Sequence, residues 1–277
     1  MTAGSRWLRI ASNDVQEARR DRTLLALGAV FVVLGIVLGY LLAQGTGFAD
    51  PGTTYGVLVL QLFGVLVPLT AVGITYERVV GRRADGSLKL LLGLPYLRAD
   101  VVLGSYVGRA VLTTTITVVA AVTVLAASVA FGAAVPTGTV PLAALALTLV
   151  LGIVFTGLAL TVSCVTTTTS RAAMLTFLAT VVMLFLWGPL VTGLVWLVNG
   201  FQFAAGEPAW ATFLQTLNPV NAFKTLASMV VPTFEGVSRL VDGQTVYRTP
   251  GFAMAVLAAW SLLVPLLGYL RFRDADL

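Results

Sequence analysis

The sequence contains no histidine, one cysteine (Cys164) and only two lysines, Lys89 and Lys224. Without histidine the chain lacks the commonest metal ligand and the side chain that titrates near neutrality. A lone cysteine excludes an intrachain disulfide, and Cys164 reads as a small buried hydrophobe rather than a ligand. No HExxH segment occurs, which excludes the usual zinc metalloprotease site, and no GxxxxGK[ST] segment occurs, so the chain has no phosphate loop of its own. Charge is scarce as well. Charged residues make up 10% of the sequence, against about 25% in a soluble domain.

What the sequence has instead is apolar surface. Hydrophobic residues make up 58% and the mean hydropathy is +0.95, so lipid must be the main solvent. Six stretches reach the roughly 20 residues needed to cross about 30 Å of hydrocarbon: 23–42, 55–76, 101–131, 140–162, 172–198 and 252–270. The expected fold is an all-α integral membrane protein with six transmembrane helices. No small-residue cleavage site follows the first apolar run, so it is expected to be a retained span rather than a removed signal peptide. Gly188-Pro189 should interrupt the fifth span.

Basic residues orient such a chain. With the N-terminus placed inside, fourteen of the seventeen Lys and Arg fall on the inner side; only Lys224, Arg239 and Arg248 fall outside. Both termini are therefore expected in the cytoplasm of a multi-pass plasma-membrane protein. The net charge of +5 follows from this asymmetry, and no aromatic-plus-basic motif points to nucleic acid.

Three segments outside the spans carry a pattern. In residues 4–20, Trp7, Leu8, Ala11, Val15 and Ala18 share one helical arc opposite Arg6, Arg9, Asn13, Gln16, Glu17 and Arg20, with Ile10 as the exception; this predicts an amphipathic helix lying in the membrane interface. Residues 77–100 are charged, turn at Ala84-Asp85-Gly86, and continue as Ser87-Leu88-Lys89-Leu90-Leu91-Leu92 before a break at Gly93 and Pro95. Ser87 can cap a short helix there, and its apolar face fits either a protein groove or the inner leaflet. Before the last span, Asn218-Pro219 breaks an apolar run into two short helices, with Asn218 as cap and Pro219 as first residue of the second; they are expected to dip into or lie on the outer leaflet rather than form a seventh span.

Polar residues inside the spans are few. Arg109 stands near the inner end of span three, where it can snorkel, pair with an acid or act at a gate. Thr113 and Thr117 could line a path, although threonine also bonds harmlessly to its own helix. No Asp or Glu sits mid-membrane, and no inverted repeat is visible, which weighs against an ion-coupled carrier. Gly35/Gly39 and Gly104/Gly108 have the spacing that lets helix backbones approach. A membrane enzyme would need convergent His, Asp or Cys groups, which are missing, whereas composition leaves a non-transporting scaffold open.

The segment Glu77, Gly86, Ser87, Leu88, Leu91, Leu92, Pro95, Arg98 and Gly104 resembles the E-R-x-x-G-[ST]-L-x-x-L-L-x-x-P-x-x-R pattern after the second span of ABC-2-type transporter permeases, in particular the NosY-like branch. It departs from that pattern in the extra residues between Glu77 and Gly86 and in Ser105-Tyr106, where a Lys is usual. The NPVNAFK run from Asn218 to Lys224 and the ending Phe272-Arg273-Asp274 are similar to further elements of the family. The resemblance implies a single transmembrane domain over residues 1–277: an interfacial helix at 1–22, spans one and two at 23–76, a cytoplasmic coupling segment at 77–100, spans three to five at 101–198, an extracytoplasmic segment at 199–250, and span six with its tail at 251–277. It implies a dimeric permease of an exporter that binds no cofactor itself. Two copies of a cytoplasmic ATPase, carrying ATP and Mg, would dock beneath it, and the outer segment leaves room for an extracytoplasmic accessory subunit. The implied coupling interface is Glu77, Arg78, Gly86, Ser87, Leu88, Lys89, Leu91, Leu92, Pro95 and Arg98, joined by the interfacial helix. Glu77 would pair with an ATPase cation or with Arg78 or Arg82, and Arg109, Thr113, Thr117, Asn218 and Pro219 are the candidates for gate or path. The scarcity of His, Cys and Met argues against metal as cargo.

Overall fold

A computed structural model describes residues 3–18, 21–45, 50–93, 96–202, 208–231, 247 and 249–274, with the side chains of 3–5, 23, 89 and 92 excluded. Every regular element among these residues is helical. In chain order they are α1 (Ala3–Ala18), α2 (Arg22–Ala43), α3 (Pro51–Leu58), α4 (Gly64–Thr75), α5 (Arg78–Ala84), α6 (Ser87–Leu92), α7 (Arg98–Ala130), α8 (Val140–Val165), α9 (Thr169–Val181), α10 (Trp187–Val198), α11 (Ala209–Leu217), α12 (Pro219–Val230) and α13 (Pro250–Arg273).

Six helical stretches are long and apolar enough to cross a membrane: Leu24–Ala43, Pro51–Ala84, Arg98–Ala130, Val140–Val165, Thr169–Val198 and Pro250–Arg273. The second is longer than its apolar run. It starts at Pro51, whose missing N–H costs nothing at a helix start, after Asp50 caps the first turn by accepting from the Thr53 amide at 2.6 Å. It continues with only a turn at Tyr76-Glu77 into the charged helix α5.

Two spans contain a π turn, and both turns lie one turn ahead of a proline. Val59–Phe63 precedes Pro68, and Val182–Leu186 precedes Pro189. A proline gives no N–H to the carbonyl four residues back, and a locally wider turn redistributes the unpaired carbonyls. The expected break near Gly188-Pro189 therefore takes the form of a π turn just before it.

The centre of the bundle is α7 with α8. Helix α2 lies along α7 because Gly35 and Gly39 let the two backbones touch. A Cβ on Gly39 would stand 2.5 Å from the Ala127 Cβ and 2.7 Å from the Val124 carbonyl. The core between α3, α4, α8, α12 and α13 is aromatic and aliphatic, with Phe63, Phe155, Phe223, Leu60 and Leu151 fully buried. Gly64 faces the Phe223 ring, with 3.1 Å to a Cβ built there.

The break at Asn218-Pro219 forms as expected, and α11 and α12 flank it. Asn218 is 1% exposed. Its Oδ1 accepts from the Val220 amide at 2.7 Å, and its Nδ2 donates to the Met183 carbonyl at 2.9 Å, inside the second π turn. Trp187 Nε1 donates to the Leu214 carbonyl and Trp260 Nε1 to the Leu217 carbonyl, both at 3.0 Å. The segment thus packs into the bundle against α8 and α13, with Val220, Phe223 and Leu226 in the core.

In contrast, α9 and α10 touch the rest sparingly. Only 6% of the most apolar window of this span is buried, against 56% for α8. Met174, Leu178, Phe185, Leu190 and Leu197 face outward. In water such a stripe would be an interaction surface or an aggregation hazard; in a span it is a lipid-facing or partner-facing side.

Candidate coupling site

One end of the bundle gathers α1, α5, α6, the start of α7 and the end of α13. Helix α5 has no side-chain cap from Glu77, which lies exposed at its start. Its free N–H groups turn to a neighbouring span instead: Ser163 Oγ of α8 accepts from the amides of Val79 and Val80 at 3.0 and 3.1 Å. Val79 and Val80 are fully buried, so α5 is fixed at its root.

Gly86 adopts φ +77°, a left-handed turn that glycine enters without strain. The cap at the start of α6 is Asp85 rather than Ser87. The Asp85 carboxylate accepts from the Ser87 amide at 2.9 Å and from its hydroxyl at 2.7 Å, and these bonds, the hydroxyl first, hold the carboxyl below its ordinary range. Ser87 is the first residue of the helix, which therefore begins one residue earlier than expected.

Helix α6 does not present the face expected of it. Leu88 is 1% exposed and packs with Ile10, Val79, Val101, Val102, Leu160, Cys164 and Phe272. Leu91 is half-buried against the same cluster. The leucine that projects is Leu90, at 77% exposure. Pro95 and the side chains of Lys89 and Leu92 lie outside the described residues. Arg98 caps α13, donating from Nη1 to the carbonyls of Phe272 and Arg273 at 2.9 and 2.8 Å. It also stacks over the Phe272 ring, as Arg83 does.

The N-terminal helix forms, and its buried side is shifted from the expected arc, keeping Ala11 and Ala18 but adding Ile10 and Asp14 and losing Leu8. Ile10, Ala11, Asp14 and Ala18 are buried, Trp7 and Val15 are intermediate, and Leu8 is 51% exposed. The reason lies on α7. Gly104 and Gly108 open a groove there; a Cβ at Gly104 would be 2.7 Å from both the Ile10 Cβ and the Trp7 carbonyl, and one at Gly108 would be 2.8 Å from the Asp14 Cβ. The stripe that fits this groove follows i, i+4 and i+8 through Ile10, Asp14 and Ala18, so Ile10 is the anchor.

Asp14 is fully buried, and three arginines from two other helices converge on it. Arg78 and Arg82 of α5 bond to Oδ1, the latter at 2.9 Å, and Arg109 Nε of α7 lies 3.3 Å from Oδ2. Arg78 also meets Glu17 at 2.6 Å, and Arg82 reaches the Ser105 hydroxyl at 3.5 Å. Arg78 and Arg82 therefore pair with acids of α1 rather than with Glu77, and Arg78 turns inward. Of the readings open for Arg109, pairing with an acid is the one the structure shows. A buried carboxylate needs such partners, because an unpaired charge away from water is very costly.

Thr113 and Thr117 are buried between α7 and α8. The Thr117 hydroxyl donates to the Thr113 carbonyl at 2.8 Å, and the Thr113 and Thr156 hydroxyls meet at 3.3 Å. Within one chain they serve helix packing. Cys164 is 1% exposed in the cluster around Leu88, as expected of a small hydrophobe.

Six helices long and apolar enough to cross a membrane, with a short helical segment and a docked N-terminal helix at one end, define a multi-pass membrane protein. The chain belongs to the ABC-2 family of transporter proteins, whose profile matches residues 8–277. It is similar to the probable ABC transporter permease protein NosY of Stutzerimonas stutzeri, with 33% identity over 104 residues, or 36% of this chain and 37% of the relative. It is likewise similar to the protein of the same description from Pseudomonas aeruginosa, with 32% identity over 104 residues and the same shares. The matched stretch spans little more than a third of either relative.

Proposed function

We infer that this chain is the permease subunit of an ABC exporter, a transmembrane dimer that moves its substrate when two copies of a separate cytoplasmic ATPase bind and hydrolyse ATP with Mg. The observation that carries this reading is the junction of α1, α5 and α6. Leu90 projects from a short helix whose Leu88 and Leu91 are tied into the bundle, and the helix roots directly on spans two, three and four. A protein seated on Leu90 would thus push on the transmembrane helices rather than on a slack loop. Family membership supports the same assignment, as does the lack of a phosphate loop in the sequence. The cytoplasmic placement of this end rests on its share of the arginines.

The test of the reading is biochemical. The tagged chain, purified alone, is expected to hydrolyse no ATP. Purified from membranes that also express the ATPase of its own operon or neighbourhood, it is expected to bring down that ATPase at equal stoichiometry with measurable hydrolysis. Turnover by the rigorously pure chain, or no ATPase captured, would sink the assignment.

Orientation is checked separately. On a Cys164→Ala background, an impermeant maleimide added to intact cells is expected to label Val135→Cys, in the exposed turn at the other end of the bundle, and to spare Ala84→Cys at the end of α5. Labelling of Ala84→Cys alone would invert the topology.

A further inference from the structure

We propose that Asp14 is a positioning residue for energy coupling: its carboxylate locks α1 to α5 and α7, so that a push delivered to α5 and α6 moves α1 and the third span as one body. The inference rests on the permease reading above. Its basis is the geometry of the Asp14 site.

An acid on the buried stripe of an amphipathic helix contributes nothing to lipid binding, and here alanine or leucine would fill the groove more cheaply. Instead the carboxylate is 0% exposed, with Arg78 and Arg82 on one oxygen and Arg109 on the other. The two oxygens thus face different helices, α5 through Oδ1 and α7 through Oδ2. Gly108 makes the room; a Cβ there would lie 2.8 Å from the Asp14 Cβ and 3.2 Å from Oδ2. On this side, the acidic groups facing the three arginines are Asp14 and Glu17 of α1 and Asp21 just beyond it; Glu17 is 62% exposed and contacts Arg78, while it and Asp21 act on Arg109, and Glu17 on Arg82, through space without contact among the described residues. Asp14 is therefore the one group touching all three. Remove its charge and the guanidinium groups, which repel each other, have no common centre. Helix α1 then keeps its apolar contacts at Ile10, Ala11 and Ala18, which fix where it lies, and the exposed Glu17–Arg78 pair, which is screened by solvent and holds it to α5 only at one point.

Leu90 is no member of this charge cluster, so the role of Asp14 separates from docking. Spin labels at Ser12 on α1, Ala84 at the end of α5 and Val135 at the far end, all on the Cys164→Ala background, report the motion by pulsed electron resonance. In the isolated permease in lipid nanodiscs, the Ser12–Ala84 distribution is expected to be narrow in the parent and at least twice as broad in Asp14→Asn. In the complex trapped with ATP and vanadate, Ser12–Val135 and Ala84–Val135 are both expected to shift in the parent. In Asp14→Asn only Ala84–Val135 should shift, and hydrolysis should fall tenfold or more while ATPase stoichiometry holds. Asp14→Glu, which keeps the charge, should restore joint movement; a purely packing role would not be rescued by charge. If Asp14→Asn does not accumulate, Arg82→Gln leaves Asp14 two partners and should show the same separation at smaller amplitude. An unbroadened distribution with joint shifts in these variants overturns the proposal. A parent that captures no ATPase or shows no nucleotide shift overturns the permease reading instead, and the distribution in the isolated chain still decides the lock.

Discussion

Gly39→Leu is expected to abolish the folded membrane protein at temperatures where the parent is intact. The added Cβ would meet the Ala127 Cβ at 2.5 Å and, more seriously, the Ser128 amide and the Val124 carbonyl, each at 2.7 Å. Flexible side chains can swing aside, but backbone atoms of a 33-residue helix cannot, so α2 must lift off α7 along its second half. Overpacking of this kind costs about 1–3 kcal/mol and sometimes more. Here it also forfeits the close approach that drives helix association in lipid, where no hydrophobic effect replaces lost contact. Gly28 is the control on the same helix. Nothing lies within 4 Å of its virtual Cβ, so Gly28→Ala should leave the melting curve where it was or raise it slightly, since Ala is the better helix former by about 1 kcal/mol. The measurement is the fraction of monodisperse protein by size exclusion after heating in detergent. Equal profiles for Gly39→Leu and the parent would mean that α2 and α7 are not in contact as described.

Spans are legible because a lipid core imposes one length and one polarity on each of them, whatever its neighbours. The Asn218-Pro219 break is legible because cap and proline act within a single turn. Pairing partners are a different kind of information. The GxxxG spacing of Gly35/Gly39 and Gly104/Gly108 marks a close approach without saying of what, and in a chain with 27 glycines such spacings arise by chance. Both pairs turn out to seat contacts made with α7, one from α2 and one from α1.

Asp14 shows the limit more sharply. Next to Asn13 and before Gln16 and Glu17, it reads as part of a solvated face, and its partners on α5 stand 64 and 68 residues away. The available signal was the stripe Ile10, Asp14, Ala18. Ile10, the exception to the apolar arc, is the centre of a second arc, and Asp14 shares its face. A helix with two apolar contacts, a groove on one side and open surface on the other, does not show one clean arc.

The sharpest contrast lies within α6, between two leucines two residues apart. Leu90→Asp is expected to abolish ATPase capture and leave the permease stable, whereas Leu88→Ala should do the reverse. Leu90 is 77% exposed, so replacing it removes nothing from the fold. If it is the anchor in an ATPase groove, its burial there contributes about 1.5–3 kcal/mol, and an aspartate in the same groove adds the cost of an unpaired charge. Each 1.4 kcal/mol is tenfold in affinity, so the combined loss should exceed about a hundredfold and take a micromolar complex out of reach of co-purification. Leu88 is 1% exposed among Val79, Val101 and Phe272. Truncating a buried leucine to alanine costs about 2–5 kcal/mol through lost transfer energy and the cavity left behind, and this cavity would open where α5, α6, α7 and α13 meet. Leu88→Ala should therefore melt early yet bind the ATPase at low temperature. Leu91, half-buried, would mix the two effects and decides less. Both variants are measured for thermal monodispersity and for co-purified ATPase. If Leu90→Asp retains the ATPase at the parent's stoichiometry, α6 rests on lipid and docking lies elsewhere on this end of the bundle.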